Sequence, residues 1–473
     1  MAVSFAGHPL FGTGFNAPAR FEAEVFDCEV EGKLPSGLEG SFYRLQCDFA
    51  YPPPRNEWMT GFNGDGHVSL FRFEGGRVHY RSRYVKTERL MAERAAGRRL
   101  FGVYRNRLTD DPSVAGVNRS AANTNIVWHG GRMLVLKEDS LPYEIDPHTL
   151  ETIGPFDFQE GLAGSETFSA HPKIDPISGE MVAYGYQAKG DLSDDVVFWR
   201  IGADGEIESE TWIKAPYAGI MHDIALTREH VILPVIPMVA TRERLEAGEP
   251  MWDWNGSYPT MVGVLPRDGE AKDVRWFEGP ARMTLHFLNA TTERDKVRME
   301  LPTSDGLGTP SSIRRWTFDL GSKDDRFGEE MVSMANNPLS RIDDRYISQP
   351  NAFAFSGHRD AERPARSDLM GPAARFAANC WTRIALETGE EQVFWAGDAV
   401  SLQECCFAAR TPDAPEGDGW LMGVASNYAD MSSDLIVLDA LTMERVATVK
   451  LPFRLRSGTH GAWVPGWDLP VSR

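Results

Sequence analysis

Asn125-Ile-Val-Trp-His-Gly-Gly-Arg-Met-Leu-Val-Leu-Lys137 reads as two short β-strands around a Gly-Gly turn. β-Branched and aromatic residues flank a dipeptide that accepts the left-handed backbone of a two-residue hairpin loop. The pattern recurs in both directions along the chain. Residues 71–85 turn at Gly75-Gly76, 196–214 at Asp204-Gly205, 261–276 near Asp268-Gly269 and 383–395 at Thr388-Gly389, and 420–451 carries at least two further strands. Hairpins repeated over hundreds of residues predict an all-β architecture, whether propeller, large sandwich or barrel. No strict repeat of the Trp-Asp kind is present, so the blades of a propeller have diverged. Helical periodicity is confined to 87–100 and 241–247, which lie between strand clusters where they can cap one face. The Pro-rich stretch at 51–55 reads as a loop. Nothing resembling a linker divides the chain, and residues 1–473 are expected to form one catalytic domain with capping loops.

Composition narrows the function. Of 473 residues, 42% are hydrophobic and 25% charged, as in ordinary globular proteins. The formal net charge of −19 argues against nucleic acid or an anionic membrane as partner, because both require basic patches. No apolar run approaches the roughly 20 residues of a membrane-spanning helix. The first residues lack the basic start and apolar core of a signal peptide. Five cysteines, Cys28, Cys47, Cys380, Cys405 and Cys406, form no Cys-x-x-Cys pair. They read as reduced, buried thiols of a cytoplasmic protein.

Four of the eleven histidines stand in short distinctive settings: His171 in Ser-Ala-His-Pro-Lys, His222 in Ile-Met-His-Asp, His286 in Leu-His-Phe-Leu-Asn-Ala and His460 in Gly-Thr-His-Gly. They are scattered over most of the chain, so only a closed, roughly symmetric fold can bring them to one point. Imidazole is the commonest transition-metal ligand and suits Fe, Cu, Ni and Zn. Four neutral imidazoles leave a divalent ion its full +2 charge, and on an octahedral ion they leave two positions open. Ligand type alone does not choose the metal.

These four motifs, in this order, resemble those of the carotenoid cleavage oxygenase superfamily, and the likeness runs from Gly40-Ser-Phe-Tyr-Arg44 to His460. Tyr104-Arg-Asn, Thr109-Asp-Asp-Pro-Ser-Val and Lys137-Glu-Asp-Ser-Leu-Pro-Tyr-Glu resemble the bacterial lignostilbene α,β-dioxygenase branch, close to isoeugenol monooxygenases. The resemblance implies a seven-bladed β-propeller with a loop and short-helix cap over the metal face, and Fe(II) held by His171, His222, His286 and His460. It implies that Glu138 and Glu404 take the outer ring nitrogens of ligand histidines. A third glutamate normally opens a Glu-Phe-Pro-Arg-Ile-Asp motif. Here the segment reads Pro338-Leu-Ser-Arg-Ile-Asp343, so His286 is the ligand expected to lack a carboxylate, with Asn336, Asn337, a carbonyl or water in its place. Tyr104 and Lys137 are implied to hold the phenolic hydroxyl, Phe62 to pack on the substrate ring, and Thr124 to crowd one open coordination site.

Lys137 and Glu138 are neighbours, and adjacent strand residues point to opposite faces. Both can serve one cleft only if the strand ends there, which Asp139-Ser-Leu-Pro142 allows. The expected activity is cleavage of the central C=C bond of a 4-hydroxystilbene by dioxygen into two aromatic aldehydes. Cleavage of an isoeugenol-type or 4-vinylphenol side chain is the alternative. A metal-free propeller scaffold and a Ca-dependent lactonase propeller are rivals from other classes, the latter needing oxygen ligands. The resemblance also implies a possible homodimer.

Overall fold

A computed structural model describes residues 3–5, 14–53, 60–334 and 339–470. The hairpins expected at 71–85 and 125–137 are the strand pairs Asp65–Glu74 with Arg77–Tyr84 and Asn125–His129 with Arg132–Leu136. At both turns the two glycines have positive φ, +58° and +74° at Gly75-Gly76 and +55° and +73° at Gly130-Gly131. That backbone twist matches the flanking strands, and glycine adopts it without steric cost.

The described residues form seven sheets of four to six strands, a seven-bladed β-propeller. Blade 2 begins at Asn125–His129, blade 3 at Lys173–Ile174, blade 4 at Gly219–Ile220, blade 5 at Asn289–Glu293, blade 6 at Ser340–Arg341 and blade 7 at Val400–Leu402. Blade 1 is composite. Its first strands, including Gly40–Asp48, come from the start of the chain, and Gly458–Pro465 from the far end pairs antiparallel with Gly40–Asp48, Tyr43 opposite Ala462. Val30–Gly32 pairs with Arg445–Lys450 at the outer edge of blade 7. The ring is therefore stitched twice.

The core lies between blades. Phe42, Phe71 and Phe73 of blade 1 pack with Met422, Val424 and Leu435 of blade 7, and Val262 and Phe277 of blade 4 pack with Met299 and Trp316 of blade 5. Each blade thus supplies an apolar layer to its neighbour, which lets one core grow with chain length. The segment 420–451 holds three strands, one more than the minimum read from its turns. The helix expected over 87–100 is shorter, Glu88–Ala96. Thr87 caps its start by accepting the Leu90 N–H, and Gly97 ends it at φ +65°. Arg89 on this helix donates to the Asn63 carbonyl and side chain at 2.7 and 2.9 Å, bracing the turn that carries Phe62. The second helix is Arg242–Glu246. No described helix is long and apolar enough to cross a membrane. All five cysteines are buried and unpaired. Residues 54 and 55 of the Pro-rich loop lie outside the described residues.

Candidate metal centre

The four histidines meet. Their ligand nitrogens all lie within 4.8 Å of one another, and Nε2 of His171 is 3.0 Å from Nε2 of His222. At a metal–imidazole bond of about 2.1 Å, two adjacent ligands of an octahedral ion stand ~3.0 Å apart, the spacing of that pair. Each histidine comes from a different blade: His171 just before the first strand of blade 3, His222 just after the first strand of blade 4, His286 just before the first strand of blade 5 and His460 in the closing strand of blade 1. The residue after His460 must be glycine, because a Cβ on Gly461 would sit 2.8 Å from the Tyr43 carbonyl oxygen.

Two carboxylates orient the rings from behind. His222 Nδ1–H donates to Glu138 Oε2 at 2.5 Å, and His460 Nδ1–H donates to Glu404 Oε1 at 2.9 Å. In each ring the proton is committed outward, so Nε2 carries the lone pair that faces the centre. Glu404 also accepts the Gly461 N–H at 3.0 Å and lies 3.3 Å from Arg341. Burial works to raise its pKa, but His460 and Arg341 outweigh that and hold it below the usual carboxylate range. Glu138 accepts the Tyr104 O–H at 2.9 Å and stands 3.6 Å from Arg105. Its burial is likewise outweighed, by His222, Arg105 and Lys137, and it stays ionised well below its ordinary value. Burial, then the other three rings and Lys173, push His171 far below an ordinary histidine. It is neutral near pH 7, the form that ligates.

This donor set fits a divalent transition metal. It presents four converging imidazoles, two buried and two half-buried, two of them with their tautomers fixed from behind, and it lacks the oxygen cage that calcium requires. Every blade contributes to the centre: ligands from blades 1, 3, 4 and 5, Glu138 from blade 2, Arg341 from blade 6 and Glu404 from blade 7.

Beside this ring stand the residues expected to read a phenol. The strand Arg132–Leu136 ends one residue before Lys137, so Lys137 and Glu138 escape strict alternation and both reach Tyr104. The Lys137 ammonium lies 4.7 Å from the centroid of the Tyr104 ring. Tyr104 is buried, and burial, then Glu138 and Asp139, raise its pKa well above that of a free phenol, so it remains an O–H donor. Phe62 is 48% exposed, its ring 6.3 Å from that of Tyr104. Its carbonyl accepts from Lys137 Nζ at 3.3 Å and from Asn123 at 3.0 Å. Thr124 is buried and donates to the Asn123 side chain at 3.1 Å. Pro338, Asn336 and Asn337, where a third carboxylate was expected to be missing, lie outside the described residues.

The family described as retinal pigment epithelial membrane protein (RPE65) matches residues 16–465. The chain is 40% identical to the isoeugenol monooxygenase of Pseudomonas putida, over 96% of this chain and 97% of that protein. It is 38% identical to lignostilbene-α,β-dioxygenase isozyme III of Sphingomonas paucimobilis, over 97% and 98%. The crystal structure of Pseudomonas brassicacearum lignostilbene dioxygenase superposes with a TM-score of 0.92 at 39% identity, covering 98% of this chain and 100% of that one. The chain belongs to the RPE65/carotenoid cleavage oxygenase family.

Three residues of this oxygenase were within the quoted motifs yet carried no sequence assignment. Arg341 donates to the Gly461 carbonyl at 3.0 Å as well as meeting Glu404, and so fixes the carboxylate behind His460 to the strand that bears His460. Arg105, buried at a left-handed φ of +53°, donates to Tyr186 Oη at 2.8 Å and lies over the rings of Tyr186 and Trp252. Asp223 directly follows a ligand. No local pattern marks such residues, because their partners lie in other blades. A cavity of about 260 Å³ runs along the first strands of the blades, from His171, His286 and His460 past Trp128 to Pro465.

Proposed function

We propose that this oxygenase is an Fe(II) enzyme that cleaves the central double bond of a 4-hydroxystilbene. The products are two aromatic aldehydes, each alkene carbon gaining one oxygen atom of dioxygen. The observation that carries the substrate reading is the placing of the Lys137 ammonium over the Tyr104 ring, with the Phe62 ring 6.3 Å from that ring and the Tyr104 hydroxyl bonded to Glu138. Iron held by His171, His222, His286 and His460 supplies binding and activation of dioxygen.

The remaining work belongs to side chains. Lys137 donates to the phenolic oxygen, and its charge favours the phenolate. A phenolate pushes electron density through the ring into the para double bond, which primes that bond for oxygen. Tyr104 has its proton turned to Glu138, so its oxygen accepts from the O–H of the incoming phenol, and as the phenol ionises that proton passes to Tyr104 while the Tyr104 proton passes to Glu138. Phe62, half exposed, covers the ring, and Thr124 narrows the approach to the metal.

Isoeugenol is the second reading, favoured by the 40% identity to a Pseudomonas putida isoeugenol monooxygenase; it shares the phenol and the para double bond. A panel of 4-hydroxystilbene, its 4-methoxy ether and isoeugenol, with products identified, tests both readings. Cleavage of the ether at the rate of the phenol refutes the phenolate role. Preference for isoeugenol leaves the pocket chemistry standing and changes the substrate. The five unpaired buried cysteines support a cytoplasmic setting. We further propose that residues 1–473 act as one catalytic unit and that the enzyme is a homodimer.

A further inference from the structure

Asp223 and Lys173 have no part in the chemistry described above, yet they lie within two residues of two ligands. Asp223 is 2% exposed. Its Oδ1 accepts the Ile224 N–H at 2.7 Å and stands 2.8 Å from Lys173 Nζ. Its Oδ2 accepts the Phe287 N–H at 2.9 Å and stands 3.1 Å from the same ammonium. Phe287 follows His286, Asp223 itself follows His222, and Lys173 stands two residues after His171. One carboxylate thus ties together the chain segments of three ligands from three blades. Glu138 and Glu404 each act on one.

We infer that Asp223 is a positioning residue that sets the mutual spacing of His171, His222 and His286, with Lys173 as its charge partner. A buried carboxylate without a cation is costly, and Lys173 removes that cost. The pair does a second thing by cancelling itself. Four neutral imidazoles leave the ion its full charge, and the carboxylate that joins three of them, paired with Lys173, adds no net charge. Break the pair from either side and the site gains one uncompensated charge, of opposite sign in the two cases. A bare ammonium disfavours the more positive oxidation state of the metal, and a bare carboxylate favours it.

The inference rests on iron binding at the four histidines, which the wild-type titration in the same experiment checks separately. Full-length protein is loaded anaerobically with Fe(II). Its affinity is measured by chelator competition and its Fe(III)/Fe(II) midpoint potential by spectroelectrochemical titration. Asp223→Asn keeps one acceptor oxygen and loses the charge. It is expected to weaken iron binding about 10–100-fold, the range seen when groups behind metal ligands are removed, and to raise the potential. Lys173→Met is expected to retain iron and lower the potential. The double variant is expected to bring the potential back toward wild type while affinity stays low. A structural role alone gives no such opposition of sign. Shifts of the same sign in the two single variants, or wild-type iron affinity in Asp223→Asn, overturn the inference. If Asp223→Asn does not fold, Lys173→Met and Lys173→Gln carry the test, since both leave the carboxylate in place, and an unchanged or raised potential in them overturns it equally. A wild-type protein that binds no iron removes the inference together with the iron reading.

Discussion

Replacing Glu404 measures how much the carboxylates behind the ring contribute to holding the metal. Its side chain is 7% exposed and receives three donors: His460 Nδ1–H, the Gly461 N–H and Arg341. In Glu404→Ala, His460 loses the acceptor that fixes its tautomer, and its ring is free to turn Nε2–H toward the centre. Losing such a partner weakens metal binding about 10–100-fold, or roughly 1.4–2.8 kcal/mol. Arg341 keeps Asp344 at 3.0 Å and the Gly461 carbonyl, and water in the vacated space can meet the Gly461 N–H, so the loss falls mainly on the metal. Glu404→Gln differs. Its oxygen can still serve His460, but its amide then opposes two donors, the Gly461 N–H and Arg341. Glutamine is therefore expected to retain more iron than alanine while its metal-free form melts lower. The assay is chelator competition for Fe(II) under anaerobic conditions, paired with thermal melting of the metal-free proteins. An alanine variant that binds iron within twofold of wild type refutes the reasoning.

Lys137→Met is expected to bind iron normally and to lose roughly 10–150-fold in turnover of a 4-hydroxystilbene, the value of one charge-assisted hydrogen bond of ~1.5–3 kcal/mol; full activity means the phenol pocket is elsewhere. Tyr104→Phe is expected to be milder, from a few-fold to about tenfold, because the lysine charge remains and a neutral hydrogen bond contributes ~0.5–1.5 kcal/mol; steady-state rates of the two variants side by side decide this. Burial lowers the pKa of His67, whose two nitrogens already meet Gln46 and the Phe21 carbonyl at 3.0 and 3.1 Å. A histidine with a depressed folded pKa gives up stability as pH falls below its unfolded value of about 6.5. Melting temperature is therefore expected to decline from about pH 6.5 downward, with a shallower decline in His67→Gln; the same slope in both proteins removes His67 as a cause.

The hairpins were readable because each is local. Gly75-Gly76 and Gly130-Gly131 mark their turns with residues that only a left-handed backbone explains, and the flanking strands carry their own β-branched pattern. The helix at 87–100 ran too long on periodicity alone, although Gly97, which ends it, was present in the sequence. The convergence of the four histidines was readable from their motifs together, since each alone is one histidine among eleven. Which histidine Glu138 serves, its bond to Tyr104 and the whole setting of Arg341 were not readable. Glu138 takes donors from residues 34 and 84 positions away, and Arg341 meets partners 63 and 120 positions away. Such meetings are products of ring closure and leave no trace in local spacing. The adjacency of Lys137 and Glu138 was an apparent conflict only while both were taken to lie in a strand.

The seam of blade 1 couples biosynthesis to reactivity. Gly458–Pro465 is at once the strand that shuts the ring against Gly40–Asp48 and the carrier of His460. During synthesis the chain emerges N-terminal end first, so three ligands and both carboxylates are made while the ring is still open. The fourth histidine of the cluster reaches the other three only when Gly458–Pro465 pairs with Gly40–Asp48. Closure of the ring and assembly of the four-histidine cluster are therefore one event.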